Sequence, residues 1–163
     1  MTVRHGYAGA DGIVITERHD IVYRDPPPPS PAGPPPGPGS SAAPDEADLV
    51  WELDASPTLL FRYSAMTFNG HRFHYDQPYA TQVEGYADLV VHGPMQASLL
   101  MNLAATLLGS VPRTFRYRGV SPMTANQTFR VCGRLTEAGF EGVTLDAADR
   151  VCMRARTTDQ DAR

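Results

Sequence analysis

Apolar side chains recur along this chain in two rhythms. Between Pro94 and Leu108 the rhythm is helical: Met95, Leu99, Leu103 and Leu107 form one row, and Leu100, Ala104 and Leu108 a second. Ser98, Asn102 and Thr106 supply the only polar stripe, so the spacing predicts a helix covered nearly all round. Gly93-Pro94 starts it, because the N–H that proline lacks has no partner in a first turn anyway. Gly109 ends it, where a left-handed residue closes a helix. Elsewhere the rhythm is closer to two. Residues 13–24 alternate around Ile13, Ile15, Ile21 and Tyr23, and three later runs, 113–121, 126–137 and 140–157, also read as strands. Gly133 and Gly139 mark a bulge and a turn in this reading. Residues 47–63 read as a short helix or strand followed by a strand entering Ser64, and 65–88 as irregular. One long buried helix with several antiparallel strands makes an α+β domain, its sheet wrapped about or packed on the helix.

The 163 residues suffice for one core and are too few for two comfortable domains. Ten of the 15 prolines crowd between Pro26 and Pro44. That tract has nothing apolar to bury and reads as a solvated, extended loop within a single domain. Leu89 to Pro112 contains no Asp, Glu or Arg, yet its helical part falls short of the roughly 20 residues a bilayer needs. No membrane partner is expected from it. The N-terminus has no apolar stretch behind a basic start, so a cytoplasmic location follows by default. Cys132 and Cys152 both sit in strand-like runs and read as two buried free thiols.

Charge narrows the chemistry. The formal net charge is −4, which leaves no basic footprint for nucleic acid. All 14 positive side chains are arginine, so lysine nucleophiles, Schiff bases and phosphate-loop lysines are excluded. Three histidines, His71, His74 and His92, fall within 22 residues. Their spacing matches no metal motif even with Asp76 and Glu84 added, so no metal is expected. No GxSxG elbow is present for serine hydrolysis.

The segment Ser64-Ala65-Met66-Thr67-Phe68-Asn69-Gly70-His71-Arg72-Phe73-His74-Tyr75-Asp76, followed by Val90-Val91-His92-Gly93-Pro94, resembles the MaoC-like (R)-specific enoyl-CoA hydratase/dehydratase family. That family's motif runs serine or threonine, glycine, aspartate, any residue, asparagine, proline, an aliphatic residue, histidine. A His-Gly pair opens its central helix about twenty residues later. The form TFNGHRFHYD with PYAT, EGY and LVVHGP is closest to the branch typified by 3-methylfumaryl-CoA (mesaconyl-C4-CoA) hydratase, in which asparagine replaces the aspartate. The resemblance spans about residues 13 to 157 and implies a hot-dog fold, an antiparallel sheet wrapped around one long central helix.

It also implies a site. The catalytic histidine falls on His74, the aspartate on Asn69, the asparagine on His71 and the proline on Arg72. The glycine whose N–H faces the thioester oxygen falls on Gly93. His74 would move protons to and from water and the α-carbon, since imidazole titrates near neutrality. Asn69 cannot be a base, but its amide can hold water. Gly93, with the amides of Met95 or Gln96 in reserve, would face developing negative charge. Arg72, with its planar fork, is a candidate for a substrate carboxylate or the CoA, and His71 and Met95 are further substrate-binding candidates. Arg116 and Arg118 are candidates for CoA phosphates. Asp76 before Gln77-Pro78 reads as a helix cap, and His92 as support for the helix start.

The implied activity is therefore a hydro-lyase on an enoyl-CoA thioester with no cofactor, its acyl group short, branched and dicarboxylic if the nearest branch carries over. Members of that branch have two hot-dog halves, and this chain resembles the second. Its partner would be a second copy or another hot-dog chain. A hot-dog acyl-CoA thioesterase and a non-catalytic subunit completing another chain's site are the alternatives. The helix lacks the carboxylate that hot-dog thioesterases usually carry.

Overall fold

Which segment becomes the sheet and which becomes the helix follows from how each can bury its apolar positions. The computed structural model describes residues 1–20 and 46–157. Five strands form one antiparallel sheet in the order β3 (Leu49–Asp54), β5 (Thr128–Thr136), β6 (Gly139–Leu145), β7 (Val151–Arg156), β4 (Arg116–Gly119). Helix α3 (Gly93–Leu108) lies against β5, β6 and β7. This is the α+β arrangement of a sheet around one long helix that the sequence implies.

The faces alternate as a half-covered sheet requires. Leu49, Trp51 and Leu53 of β3, Phe129 and Val131 of β5, and Phe140 of β6 join Leu100, Leu103 and Ala104 of α3 in one core. Gly133 is where the helix comes closest. A Cβ there would lie 2.5 Å from the Phe140 ring and 2.7 Å from Leu103 Cδ2. It is thus a glycine of close approach, and the expected bulge at Gly133 is absent. The irregularity falls instead between Thr144 and Leu145, in the pairing of β6 with β7. Gly139 does make the expected turn, at φ 122°.

Helix α3 starts and stops as the sequence indicates. Pro94 occupies its first turn, and Gly109 closes it in the left-handed conformation at φ 72°. Its covering is less complete than expected: Ser98, Met101, Asn102 and Thr106 form an exposed stripe on the side away from the sheet. One buried polar contact pins it to the sheet, Thr144 Oγ1 donating to Gln96 Oε1 at 2.6 Å.

Other segments depart from the sequence reading. In place of the strand expected to enter Ser64 at the end of 47–63, the chain forms helix α1 (Pro57–Met66). Ser56 caps it by accepting from the Leu59 amide at 3.2 Å, and Pro57 sits in its first turn. The run 140–157 is two strands, β6 and β7, separated by a turn in which the buried Asp146 carboxylate accepts from the Ala148 and Arg150 amides and the Arg150 side chain. Residues 65–88 contain a 3₁₀ turn (Arg72–His74) and helix α2 (Gln77–Gln82). Strand β2 (Gly12–Asp20) pairs with an unforeseen β1 (Thr2–Gly9) as a separate, almost wholly exposed two-stranded sheet. Ile21, Tyr23 and the proline tract lie outside the described residues. Cys132 and Cys152 are buried free thiols, and burial is the main cause that raises both pKa values.

Candidate active site

The chain between α1 and α3 is folded so that its polar side chains meet at the N-terminus of α3. Leaving α1, it reverses at Phe68, which adopts φ 53°. The reversal is held by the Asn69 amide donating to Ser64 O at 2.9 Å and by Asn69 Oδ1 accepting from the His71 amide at 3.0 Å. The 3₁₀ turn follows, tied to the strand-like segment before α3 by the Val90 amide donating to Phe73 O at 3.0 Å. That segment is anchored in turn by the Val91 amide on Met123 O and the Ala125 amide on Leu89 O, each at 2.8 Å.

His74 ends the 3₁₀ turn, buried at 5% exposure. Its Nδ1 lies 2.6 Å from Val90 O. A carbonyl can only accept, so Nδ1 carries the proton and Nε2 is left as a basic lone pair. His92 is fully buried as the N-cap residue of α3, and its ring stacks on His74 with centroids 3.6 Å apart and planes 15° from parallel. Ser64 Oγ is 2.8 Å from His92 Nε2. Three elements thus converge: α1 brings Ser64, the 3₁₀ turn His74, and the start of α3 His92.

Burial sets the protonation of both rings. It lowers the pKa of His74, against an opposing pull from the Val90 carbonyl and with a further lowering by His71. It lowers that of His92 to about 4, with His74 and His71 adding to the effect. Both imidazoles are therefore neutral at pH 7.

The first turn of α3 adds donors. The Gln96 amide donates to His92 O within the helix, at 3.2 Å, which removes it from the reserve the sequence assigned to it. Pro94 has no N–H. The amides of Gly93 and Met95 precede the first intrahelical bond and lie at the positive end of the helix. Met95 is a buried side chain, and Gly93 is half-buried, a Cβ there meeting only Met153 Cε at 3.9 Å.

The remaining candidates are placed as follows. Asn69, half-buried, spends its oxygen on the turn and keeps its amide nitrogen as a donor. His71 is exposed and stacks against Phe73 at 5.7 Å. Arg72 is also exposed, with Nη2 donating to Asp76 Oδ2 at 2.6 Å and its guanidinium 4.3 Å above the Tyr79 ring. The same Asp76 caps α2 by accepting from the Tyr79 amide, as the sequence indicates. Arg72 is the first cause holding the Asp76 carboxyl below its ordinary pKa. Arg116 and Arg118 lie exposed on the edge strand β4. Among the described residues, no cluster of His, Cys, Asp or Glu has the makeup to hold a metal ion. Ser64 was not singled out by sequence, and His92 was assigned to the helix start alone. They stand 28 residues apart, and no local signal joins them.

A long helix clasped by a five-stranded antiparallel sheet, with a buried histidine at the helix N-terminus, defines a hot-dog protein of the MaoC-like type. The family model for hydroxyacyl-thioester dehydratase type 2 matches residues 1–125, and the chain belongs to that family. It is 43% identical over 135 residues to mesaconyl-C(4)-CoA hydratase of Chloroflexus aurantiacus, covering 82% of this chain and 46% of that protein. The chain thus spans about half the length of that relative or less of the others it matches. Among solved structures it is similar to (R)-hydratase PhaJ1 of Pseudomonas aeruginosa, at TM-score 0.60 and 14% identity over 67% of this chain and 76% of that one. It is likewise similar to a chain of the ChsH1-ChsH2 complex of Mycobacterium tuberculosis, at TM-score 0.58 and 16% identity over 69% of this chain and 95% of that one. These likenesses establish the fold. No helix among the described residues is long and apolar enough to cross a membrane.

Proposed function

We propose that this chain supplies the catalytic half of a hydro-lyase that adds water to an enoyl-CoA thioester, or removes it, with a short branched dicarboxylic acyl group of the mesaconyl-C4 kind as substrate. The observation that carries the reading is His74: buried, neutral, with Nδ1–H locked on Val90 O, Nε2 left as the basic nitrogen, and its ring stacked on His92, the residue that opens α3. The name of the 43% identical relative supports the substrate.

Hydration follows from these groups. Nε2 of His74 takes a proton from water as its oxygen bonds to the β-carbon, and electrons of the double bond move onto the thioester oxygen. The Gly93 amide, backed by that of Met95, meets the enolate oxygen at the helix's positive end. The imidazolium, steadied by the Val90 carbonyl, returns the proton to the α-carbon. The Asn69 amide nitrogen orients the water. His71 and Arg72 face the distal part of the substrate, and a free acyl carboxylate there would compete with Asp76 for the Arg72 fork. No cofactor enters this chemistry.

The site is completed by a second hot-dog unit, either another copy or a separate chain. Phe61, Met66 and Phe68 support this, at 59%, 70% and 96% exposed around the end of α1. The span of 46% of the relative supports it too. A thioesterase reading lacks its carboxylate, since α3 contains no acidic residue.

Purified protein mixed with mesaconyl-C4-CoA or crotonyl-CoA tests the reading by loss of enoyl absorbance. The expected result is hydration without release of free CoA. Thiol release at the rate of ester loss would replace the reading with a thioesterase. Activity appearing only when a second hot-dog chain is added would identify the completing unit as a separate chain and exclude another copy.

A further inference from the structure

His92 lies against the proposed base, yet the hydration chemistry gives its ring no task. It is fully buried, its plane is 15° from that of His74 at 3.6 Å, and its Nε2 is fixed by Ser64 Oγ at 2.8 Å. Its Nδ1 is buried with no hydrogen-bond partner. A bare Nδ1 costs less in an apolar setting than an unpaired N–H, so Nε2–H donating to Ser64 is the favoured tautomer. Protonating Nδ1 would then bury a charge and an unpaired donor together.

The two rings differ in one decisive way. His74 has a carbonyl waiting for its Nδ1–H, and His92 has nothing at its Nδ1. Two parallel imidazolium rings 3.6 Å apart would repel strongly, so the stack accepts a single proton. The groups facing the stack are Tyr63, 4.7 Å from the His92 ring, with Phe73 and His71 on the His74 side. Among the described residues, the charges acting on either ring come from histidines.

We infer that the Ser64–His92 pair is a positioning device for His74. It clamps the imidazole in the plane that aims Nδ1–H at Val90 and Nε2 at the substrate, and it directs the single proton of the stack to His74. Nothing transfers to or from His92 itself. The inference rests on the reading of His74 as the base, and it assigns roles to two residues outside the proton path.

The test compares wild type with His92→Leu, His92→Phe, Ser64→Ala and His74→Ala, all first shown folded by circular dichroism. Hydration of an enoyl-CoA gives kcat and KM across pH 5–9, and ¹⁵N NMR of ring-labelled protein gives the tautomer and pKa of His74. Without the clamp, a base displaced by about an ångström loses on the order of 100-fold in rate. His92→Leu is expected to lose that much in kcat, with KM little changed and with His74 sampling both tautomers. His92→Phe keeps an aromatic wall and should recover most of the rate. Ser64→Ala should lose less, with the wild-type tautomer partly retained. If His92→Leu matches wild type in kcat and in the His74 tautomer while His74→Ala is inactive, the clamp is refuted and the base stands. If His74→Ala remains active, the base itself is refuted. Should His92→Leu not fold, Ser64→Ala and His92→Phe decide: an unmoved His74 pKa and tautomer in both overturns the inference.

Discussion

Acid should loosen this protein through one ring. His92 has an ordinary pKa of 6.5 when the chain is unfolded and about 4 when buried in the stack. A base whose pKa is depressed by folding gives stability that is complete above the unfolded value and is lost as pH falls toward the folded one. The window is therefore pH 6.5 down to about 4, and at roughly 1.4 kcal/mol per pH unit the loss amounts to about 3 kcal/mol. That is a large share of the 5–15 kcal/mol that typical domains possess. His74 is depressed in the same direction and adds to the loss over the upper part of the window. The perturbation is His92→Gln, which keeps a donor for Ser64 and cannot titrate. Urea unfolding at pH 7.5, 6.0, 5.0 and 4.5 gives the free energy of each protein by linear extrapolation. Wild type should lose about 2–3 kcal/mol more than the variant across that range. Parallel losses in both proteins would mean that His92 is charged or hydrated in the fold, and the reasoning from its burial would be wrong.

Other expectations concern packing and the pH of activity. Leu103→Ala, at a fully buried side chain of α3 close to Gly133, should cost about 3 kcal/mol by the same unfolding measurement. Gly133→Ala should cost on the order of 1–3 kcal/mol, because its Cβ would enter the Phe140 ring, and pairing it with Phe140→Leu should recover part of that loss. Thr144→Val strands the buried Gln96 oxygen and should lower stability by about 1–3 kcal/mol, read as a reduced midpoint with an unchanged slope. Because burial lowers the His74 pKa below 6.5, the hydration rate should stay level at neutral pH and fall only on an acid limb below that value, as His74 becomes protonated.

The sequence pattern reached α3 most fully, since a glycine-proline start, a helical row of leucines and a closing glycine are all local signals. It reached β5, β6 and β7 as alternation but merged the last two. The turn between them is built by Asp146 accepting amides from its neighbours, a use of a carboxylate that alternation does not register. Helix α1 was misread because its run of Leu59, Leu60 and Phe61 looks like a strand, although Ser56 and Pro57 are a cap and a first turn. The motif pointed to His74 and Gly93 together, and in the fold His74 stacks on His92, the residue before Gly93. The stack with His92 and its tie to Ser64 are tertiary products: the rings meet where the 3₁₀ turn is bonded to Val90. The Arg72 fork likewise has no assigned partner in the sequence reading, and it is the turn that brings it against the Asp76 carboxylate.

The account turns on Nε2 of His74 as the group that moves the proton. Hydration of mesaconyl-C4-CoA or crotonyl-CoA by folded His74→Gln, which keeps a donor for Val90 O and removes the base, measures this directly. A fall in kcat of at least about 100-fold, with KM within a few-fold of wild type and the acid limb abolished, is the predicted result. A variant that hydrates the same ester at the wild-type rate and with the wild-type pH profile would contradict it.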